Sequence, residues 1–390
     1  MSRINSAEIP GRPTDPERIF NDTVPQWQTL SGKPFAGKYP EIPAVCNIDC
    51  SSPVLLTLPK SIYAVAGSET RIYFNNLVQA ENKEDLVFEV VSAVGKCCEK
   101  FYSFTADTPG AYPCKITVKD NGKIVGCAET LIRVAPQNAG NEQNAVILTV
   151  GDSILADGEI VRFYHQLCQK YGNKNIRMMG SHAGSGKPLS AGEIAVEAYG
   201  GWKWNCFMSR YGSENNYNSK SKFIKIVNGE TDFILQEYLD KYNDASAPDV
   251  VIFSLGCNDI ALADKNSLSG MIAGSFAARK KLIQEFRKVM PDTIIGVVLL
   301  MPPNISDMAF EENYHGEITR KQYTINQFNY MRQTLLELQN DPDISLIPVY
   351  TAIDEKMAYP ENNALHPNDF GKQQFAETLF AWFKNILCCI

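Results

Sequence analysis

Hydrophobic and polar positions change their period twice along the chain. Residues 1–50 show no period at all. Pro10, Pro13, Pro16, Pro25, Pro34, Pro40 and Pro43 interrupt a polar stretch, and proline both removes a backbone donor and clashes with the preceding turn of a helix. That composition predicts an extended N-terminal arm. From 51 to 136 short runs of β-forming residues recur: Val54–Leu58, Ser61–Val65, Thr70–Phe74, Leu86–Val91, Lys100–Phe104, Tyr112–Val118 and Ala128–Val134. Turn residues separate them, and Asp120-Asn121-Gly122 reads as a hairpin because Asn-Gly accepts the positive φ values a tight hairpin needs. Seven such runs in about 85 residues predict a small all-β sandwich of the immunoglobulin-like kind. The polar stretch 137–144 then predicts a linker.

Beyond Asn144 strands and helices alternate. Apolar runs fall at 146–150, 176–179, 250–255, 294–300 and 344–349, and amphipathic stretches at 160–171, 233–242, 271–289, 320–338 and 370–387. Short apolar strands without a polar face are buried on both sides, and helices between them make the sheet parallel. Residues 145–390 are therefore expected to form a three-layer α/β/α sandwich around a five-stranded parallel sheet. No internal repeat is visible.

Composition narrows the partners. The 390 residues are 44% hydrophobic and 21% charged, with a net charge of −7, which argues against nucleic acid or an anionic membrane surface. No apolar stretch has the length of a membrane span, and Met1–Ser6 lacks the apolar core of a signal peptide, so the expected location is cytoplasmic. Eleven cysteines are an odd number. Cys46-x-x-x-Cys50 has no nearby histidine and no second pair of matching spacing, so free thiols are expected and no metal.

The polar residues that matter follow the carboxyl ends of predicted strands. Ser153 ends Ala145–Ser153, the first apolar run. Gly256-Cys257-Asn258-Asp259 follows the third strand, and His366 follows the fifth. Glu197-Ala198-Tyr199-Gly200-Gly201-Trp202 lies in the long connection after the second. Strands of one parallel sheet point the same way, so these loops share one rim. That rim collects a hydroxyl, an imidazole, an amide side chain and a glycine N–H, which is the set acyl transfer requires. Gly180–Lys187 imitates a phosphate loop, but its glycines are spaced one residue too far apart and Pro188 stands where a Ser or Thr would hold magnesium. No Gly-x-Gly-x-x-Gly run follows the first strand, so no dinucleotide cofactor is expected. His165, His182 and His315 read as ordinary helix or loop residues.

Gly151-Asp152-Ser153, Gly201, Gly256-x-Asn258-Asp259 and His366-Pro367, in this order, resemble the four signature blocks of the SGNH (GDSL-type) hydrolases, over roughly residues 145 to 390. Glu197-x-x-x-Gly201-Trp202 is similar to a run found in bacterial members that act on acylated carbohydrates, and the preceding sandwich is similar to domains attached to such enzymes. The resemblance implies a flavodoxin-like sheet, Ser153 as nucleophile and His366 as base. It implies an oxyanion hole from the N–H groups of Ser153 and Gly201 and the side chain of Asn258. Trp202 and Glu197 become candidate substrate-binding residues, and no cofactor is implied. One position departs from the family. The aspartate expected three residues before the histidine is Asn363, so the site is either a Ser–His dyad or is completed by another acid such as Asp354. Asp369 is expected to cap the last helix.

The implied activity is hydrolysis of a carboxylic ester, with an O-acetyl or other short acyl group on a carbohydrate as substrate. The alternatives are a lipid or thioester hydrolase, which needs a long acyl channel, and a non-catalytic glycan-binding protein with a vestigial hydrolase body, for which Asn363 alone speaks. Oligomeric state is not legible in the residues.

Overall fold

The computed structural model describes residues 54–388 apart from 191, 214 and 215; the expected N-terminal arm and the Cys46–Cys50 pair lie outside them. Nine strands precede the parallel sheet. They are β1 (Leu55–Leu56), β2 (Ser61–Val65), β3 (Thr70–Tyr73), β4 (Val78–Gln79), β5 (Leu86–Ser92), β6 (Lys96–Cys97), β7 (Phe101–Phe104), β8 (Gly110–Asp120) and β9 (Lys123–Ala135). Four of them form a sheet in the order β2-β9-β8-β5 and three form a second in the order β3-β7-β6, while β1 pairs with β4. Inward positions such as Ile62, Ile116, Val118 and Ile132 meet Ile72, Phe74 and Phe104 in one core. The β8–β9 hairpin turns at Asn121 (φ 47°) and Gly122 (φ 78°) with Asp120 opposite Lys123, the two-residue geometry expected of Asn-Gly.

That core does not end at the sandwich. Leu299, Phe328, Met331, Leu335 and Tyr350, all from the second half of the chain, pack into it. Polar bonds cross the same boundary: Asn76 donates to the carbonyls of Tyr350 and Ile353, and the Tyr350 hydroxyl donates to the Thr57 carbonyl at 3.1 Å. The stretch at 137–144 is anchored as well. The buried Lys384 ammonium donates to the carbonyls of Gln137 (2.6 Å) and Ala139 (2.9 Å).

The five main strands of the parallel sheet are β10 (Ala145–Gly151), β11 (Ile176–Met179), β15 (Val250–Ser254), β16 (Ile294–Val298) and β17 (Ile344–Ile347), in the order β11-β10-β15-β16-β17, and a two-residue sixth strand adds to the end of β10. In order along the chain this is 2-1-3-4-5, the flavodoxin-like arrangement. Ile147, Ile252 and Val298 face one layer, with α2 (Glu159–Lys170) and α9 (Asp369–Leu387). Leu148, Val150, Val251, Phe253 and Val297 face the other, with α4 (Leu235–Tyr242) and α6 (Leu268–Val289). Both faces are thus covered, as continuous apolar strands require. α8 (Arg320–Leu338) occupies the stretch expected from its pattern.

Besides β4 and β6, several smaller elements escaped the sequence pattern, among them α3 (Cys206–Ser209). Others are β12 (Glu197–Ala198), the hairpin of β13 (Ile224–Val227) and β14 (Glu230–Phe233), and α7 (Asp307–Tyr314). The hairpin carried its own signal in Asn228-Gly229, both with positive φ, but its strands are mostly exposed and show little apolar alternation.

Candidate active site

The chain leaves β10 on one side to build β11 and returns on the other to build β15. Between β10 and β15 the sheet order reverses, and an open α/β sheet has its crevice beyond the carboxyl ends of such a pair. Ser153 stands at the end of β10 and Asn258 at the end of β15. Ser153 opens the short helix α1 (Ser153–Ala156), whose N-cap is Asp152: its Oδ1 accepts the Ile154 N–H at 3.0 Å. Because Asp152 caps the helix, the half-buried Ser153 hydroxyl is left without a hydrogen bond among the described residues. A Cβ at Gly151 would stand 2.8 Å from Leu155 Cδ1 and 3.1 Å from its Cβ and Cγ, so a side chain there would press on a buried leucine.

Two further blocks are fastened to this point. β12 pairs with the last residues of β10, Glu197 opposite Val150 and Ala198 opposite Gly151, and the Tyr199 N–H donates to the Gly151 carbonyl at 3.1 Å. The chain then turns through Gly200-Gly201, closed by the Trp202 N–H on the Tyr199 carbonyl at 3.3 Å. Gly201 has φ 73° with nothing where a Cβ would project, so backbone conformation and not crowding demands glycine there. Asn258 lies in α5 (Cys257–Ile260) behind Gly256, whose φ of 130° and contact with the Tyr330 ring exclude a side chain. Asn258 Nδ2 donates to the Trp202 carbonyl at 3.0 Å. One amide hydrogen is thereby used to hold the side chain beside the Gly201 turn, and the other remains for a ligand.

The histidine is oriented from its own loop. Asn363 Oδ1 accepts the backbone N–H groups of Leu365 (3.2 Å) and His366 (2.9 Å) and lies 3.1 Å from His366 Nδ1. Backbone N–H groups can only donate, so the Asn363 atom facing them is oxygen, and the ring nitrogen beside it carries a proton. His366 is therefore held as the Nδ1–H tautomer, with the Nε2 lone pair free. His366 is exposed on one side. Its packed side desolvates the ring and lowers its pKa from the usual value; Asp157 opposes that change and Lys372 assists it. No hydrogen bond joins Ser153 to His366 among the described residues, although Ile154 and Leu365, their immediate neighbours, line one cavity of about 20 Å³ with Asp152, Cys257 and Leu300. Nucleophile–base bonds are often loose without substrate.

Four expectations need correction. Glu197 cannot meet a substrate in this structure. It is fully buried, with Oε2 accepting from the Ser181 N–H (3.0 Å) and the Tyr238 hydroxyl (2.8 Å), and Oε1 from the hydroxyls of Ser181 and Tyr199. Trp202 is equally enclosed. Its ring stacks on Tyr199 at 4.1 Å and its Nε1 donates to the Asn218 carbonyl. Both hold the Gly201 turn in place; the extent of their burial was not legible from residue type. Asp354 does not complete the triad: its Oδ1 accepts the N–H groups of Lys356 and Met357, and among the described residues no hydrogen bond joins it to His366, whose partner is Asn363. The last helix is capped by Asn368, whose Oδ1 accepts the Gly371 N–H, and Asp369 is its first residue.

The sequence pattern also missed Asp152. It is fully buried, its Oδ2 accepts the Cys257 thiol at 3.0 Å, and burial pushes its pKa up to about 7. Among the described residues no group of three or more His, Cys, Asp or Glu could hold a metal ion, and no helix is long and apolar enough to cross a membrane.

No protein-family model and no curated protein matches the chain. Solved structures do. A family 3 carbohydrate esterase from Talaromyces cellulolyticus is 15% identical, with 62% of this chain and 98% of that one covered at a TM-score of 0.39. A family 3 carbohydrate esterase from Clostridium thermocellum is 18% identical, with 63% and 98% covered at 0.38. A protein described as a GDSL-like lipase from Parabacteroides merdae is 17% identical, with 62% and 96% covered at 0.37. The chain is similar to these carbohydrate esterases and to this GDSL-like lipase over about three fifths of its length.

Proposed function

We propose that the chain is a serine esterase of the SGNH type that removes a short acyl group, such as acetyl, from a carbohydrate. The observation that carries this reading is the assembly at the sheet's switch point. The glycine turn is hydrogen-bonded to the end of β10 just before Ser153 and to the Asn258 amide, the Ser153 hydroxyl is uncommitted, and His366, whose neighbour Leu365 shares a cavity with Ile154, has its base nitrogen free.

Ser153 Oγ attacks the ester carbonyl carbon while its proton passes to His366 Nε2. The carbonyl oxygen becomes an oxyanion facing the N–H groups of Ser153 and Gly201 and the spare hydrogen of Asn258 Nδ2. Collapse of the tetrahedral species breaks the bond to the sugar oxygen, which takes the proton from His366. Water then gives its proton to the same nitrogen, attacks the acyl-enzyme carbonyl and releases the carboxylic acid, returning the proton to Ser153.

The test is hydrolysis of p-nitrophenyl acetate and of longer p-nitrophenyl esters by the full chain and by Ser153→Ala. Turnover that depends on Ser153 and declines with acyl length is expected. Turnover that survives the substitution would remove the serine mechanism, and preference for long chains would favour a lipid or thioester substrate.

A further inference from the structure

The reaction just described places a positive charge on His366 in each half-cycle, and the neutral Asn363 supplies no charge to balance it. A second polar connection crosses the site. Lys372 Nζ donates to Asp157 Oδ2 at 2.6 Å, joining residues 215 apart in the sequence. Asp157 ends α1, four residues after Ser153, and its Oδ1 accepts the Glu159 N–H at 3.0 Å. Lys372 lies in the first turn of α9, six residues after His366, where its own N–H donates to the Asn368 carbonyl. The pair therefore joins the end of the nucleophile's helix to the helix that follows the histidine loop. Its lysine is largely buried and its aspartate partly exposed.

Building on the esterase reading, we propose that Asp157, held across the site by Lys372, is a positioning residue that supplies the negative charge missing at Asn363. Two functions that one aspartate usually combines are then divided. Asn363 fixes the tautomer through its carbonyl oxygen, and Asp157 stabilises the imidazolium through space.

The charges around the ring agree with this division. From the turn between α1 and α2 comes Asp157, and from α2 itself the Glu159–Arg162 pair. From α9 come Asp369 and Lys372. Arg162 feels both Asp157 and Asp369, whereas His366 feels Asp157 as the favourable charge and Lys372 as the unfavourable one. Lys372 thus holds the carboxylate in place and tempers its field.

The two residues act on the ring with opposite sign, and that gives the test. The His366 ring is titrated by NMR in the full chain, its signal identified among four histidines by its loss in His366→Asn. Asp157→Asn should move the ring's titration to lower pH and Lys372→Met should move it to higher pH. In parallel, Asp157→Asn should lower kcat/KM for p-nitrophenyl acetate at pH 7 about tenfold, through kcat and not KM, and adding Asn363→Asp to that variant should restore most of the loss. Shifts of the same sign, absence of either shift, or failure of the rescue overturns the proposal, because a merely structural clasp gives those results. Failure of the esterase reading shows separately, as turnover indifferent to Ser153→Ala, while the ring titration still reports on Asp157.

Discussion

The Cys257 thiol donates to Asp152 Oδ2 at 3.0 Å, and so links the residue before Ser153 to the residue before Asn258. One buried carboxyl group thereby caps the nucleophile's helix and holds the loop that carries the oxyanion amide.

Its titration should be visible in stability. Burial raises the Asp152 pKa to about 7, with Asp259 adding to the effect and the bonds from Cys257 and Ile154 opposing it. An unfolded aspartate titrates near 3.9, so between about pH 4 and 7 the native state holds a proton that the unfolded chain releases. This contribution is complete below pH 4, is lost as pH rises through 7, and amounts to a few kcal/mol. In urea unfolding the wild type should lose stability from pH 5 to pH 8, and Asp152→Asn should lose much less. Equal slopes would show that Asp152 is not the group responsible.

A second expectation concerns the base. Desolvation lowers the His366 pKa, so its Nε2 stays available below the usual value of about 6.5. The acid limb of kcat/KM is expected there and not at 6.5. Asn363→Asp keeps the acceptor and adds charge, which should move that limb to higher pH and raise kcat at pH 8 up to about tenfold. Asn363→Ala frees the ring and deprives two backbone N–H groups of their acceptor, and turnover should fall about 10²-fold. A pH–rate series on the three proteins separates the two effects.

Asn258 offers a third measurement. Its amide is held by the Trp202 carbonyl with one hydrogen to spare. If that hydrogen faces the oxyanion, Asn258→Ala should lower kcat by about 10² to 10³ with KM within about threefold. Steady-state kinetics on a p-nitrophenyl ester decide; a loss confined to KM would make Asn258 a substrate-binding residue instead.

The sheet was legible because its strands are apolar throughout and its helices carry regular stripes; Arg320–Leu338 is a helix with the predicted ends. Residues at strand ends could be placed on one rim because parallel strands share a direction. Burial of polar side chains could not be read in that way. Glu197 and Trp202 became binding candidates through the family resemblance, and only the three-dimensional closure of Ser181, Tyr199 and Tyr238 around the carboxylate shows Glu197 to be buried. The Asp157–Lys372 pair was invisible for a related reason: a contact between residues 215 apart leaves no local pattern. The hairpin at Asn228-Gly229 had a turn signal but no apolar alternation to support it.

Glu197 gives the last prediction, because its two roles have different signatures. Its pKa is raised by burial, against hydrogen bonds from Tyr199, Tyr238 and Ser181. The Ser181 N–H can only donate, so a glutamine must place its single oxygen there, while its NH₂ group meets hydroxyls that can turn to accept. Glu197→Gln should therefore cost no more than about 1–2 kcal/mol. Glu197→Ala leaves a cavity and four orphaned donors, and should cost several kcal/mol in chemical unfolding. Since β12 carries the chain from Gly151 to the Gly201 turn, the folded fraction of Glu197→Ala should lose kcat through a displaced oxyanion donor. A residue that gripped substrate would behave in the opposite way: Glu197→Gln would raise KM for an acylated sugar and leave unfolding unchanged. Measuring both quantities on both variants distinguishes a buried support from a binding residue.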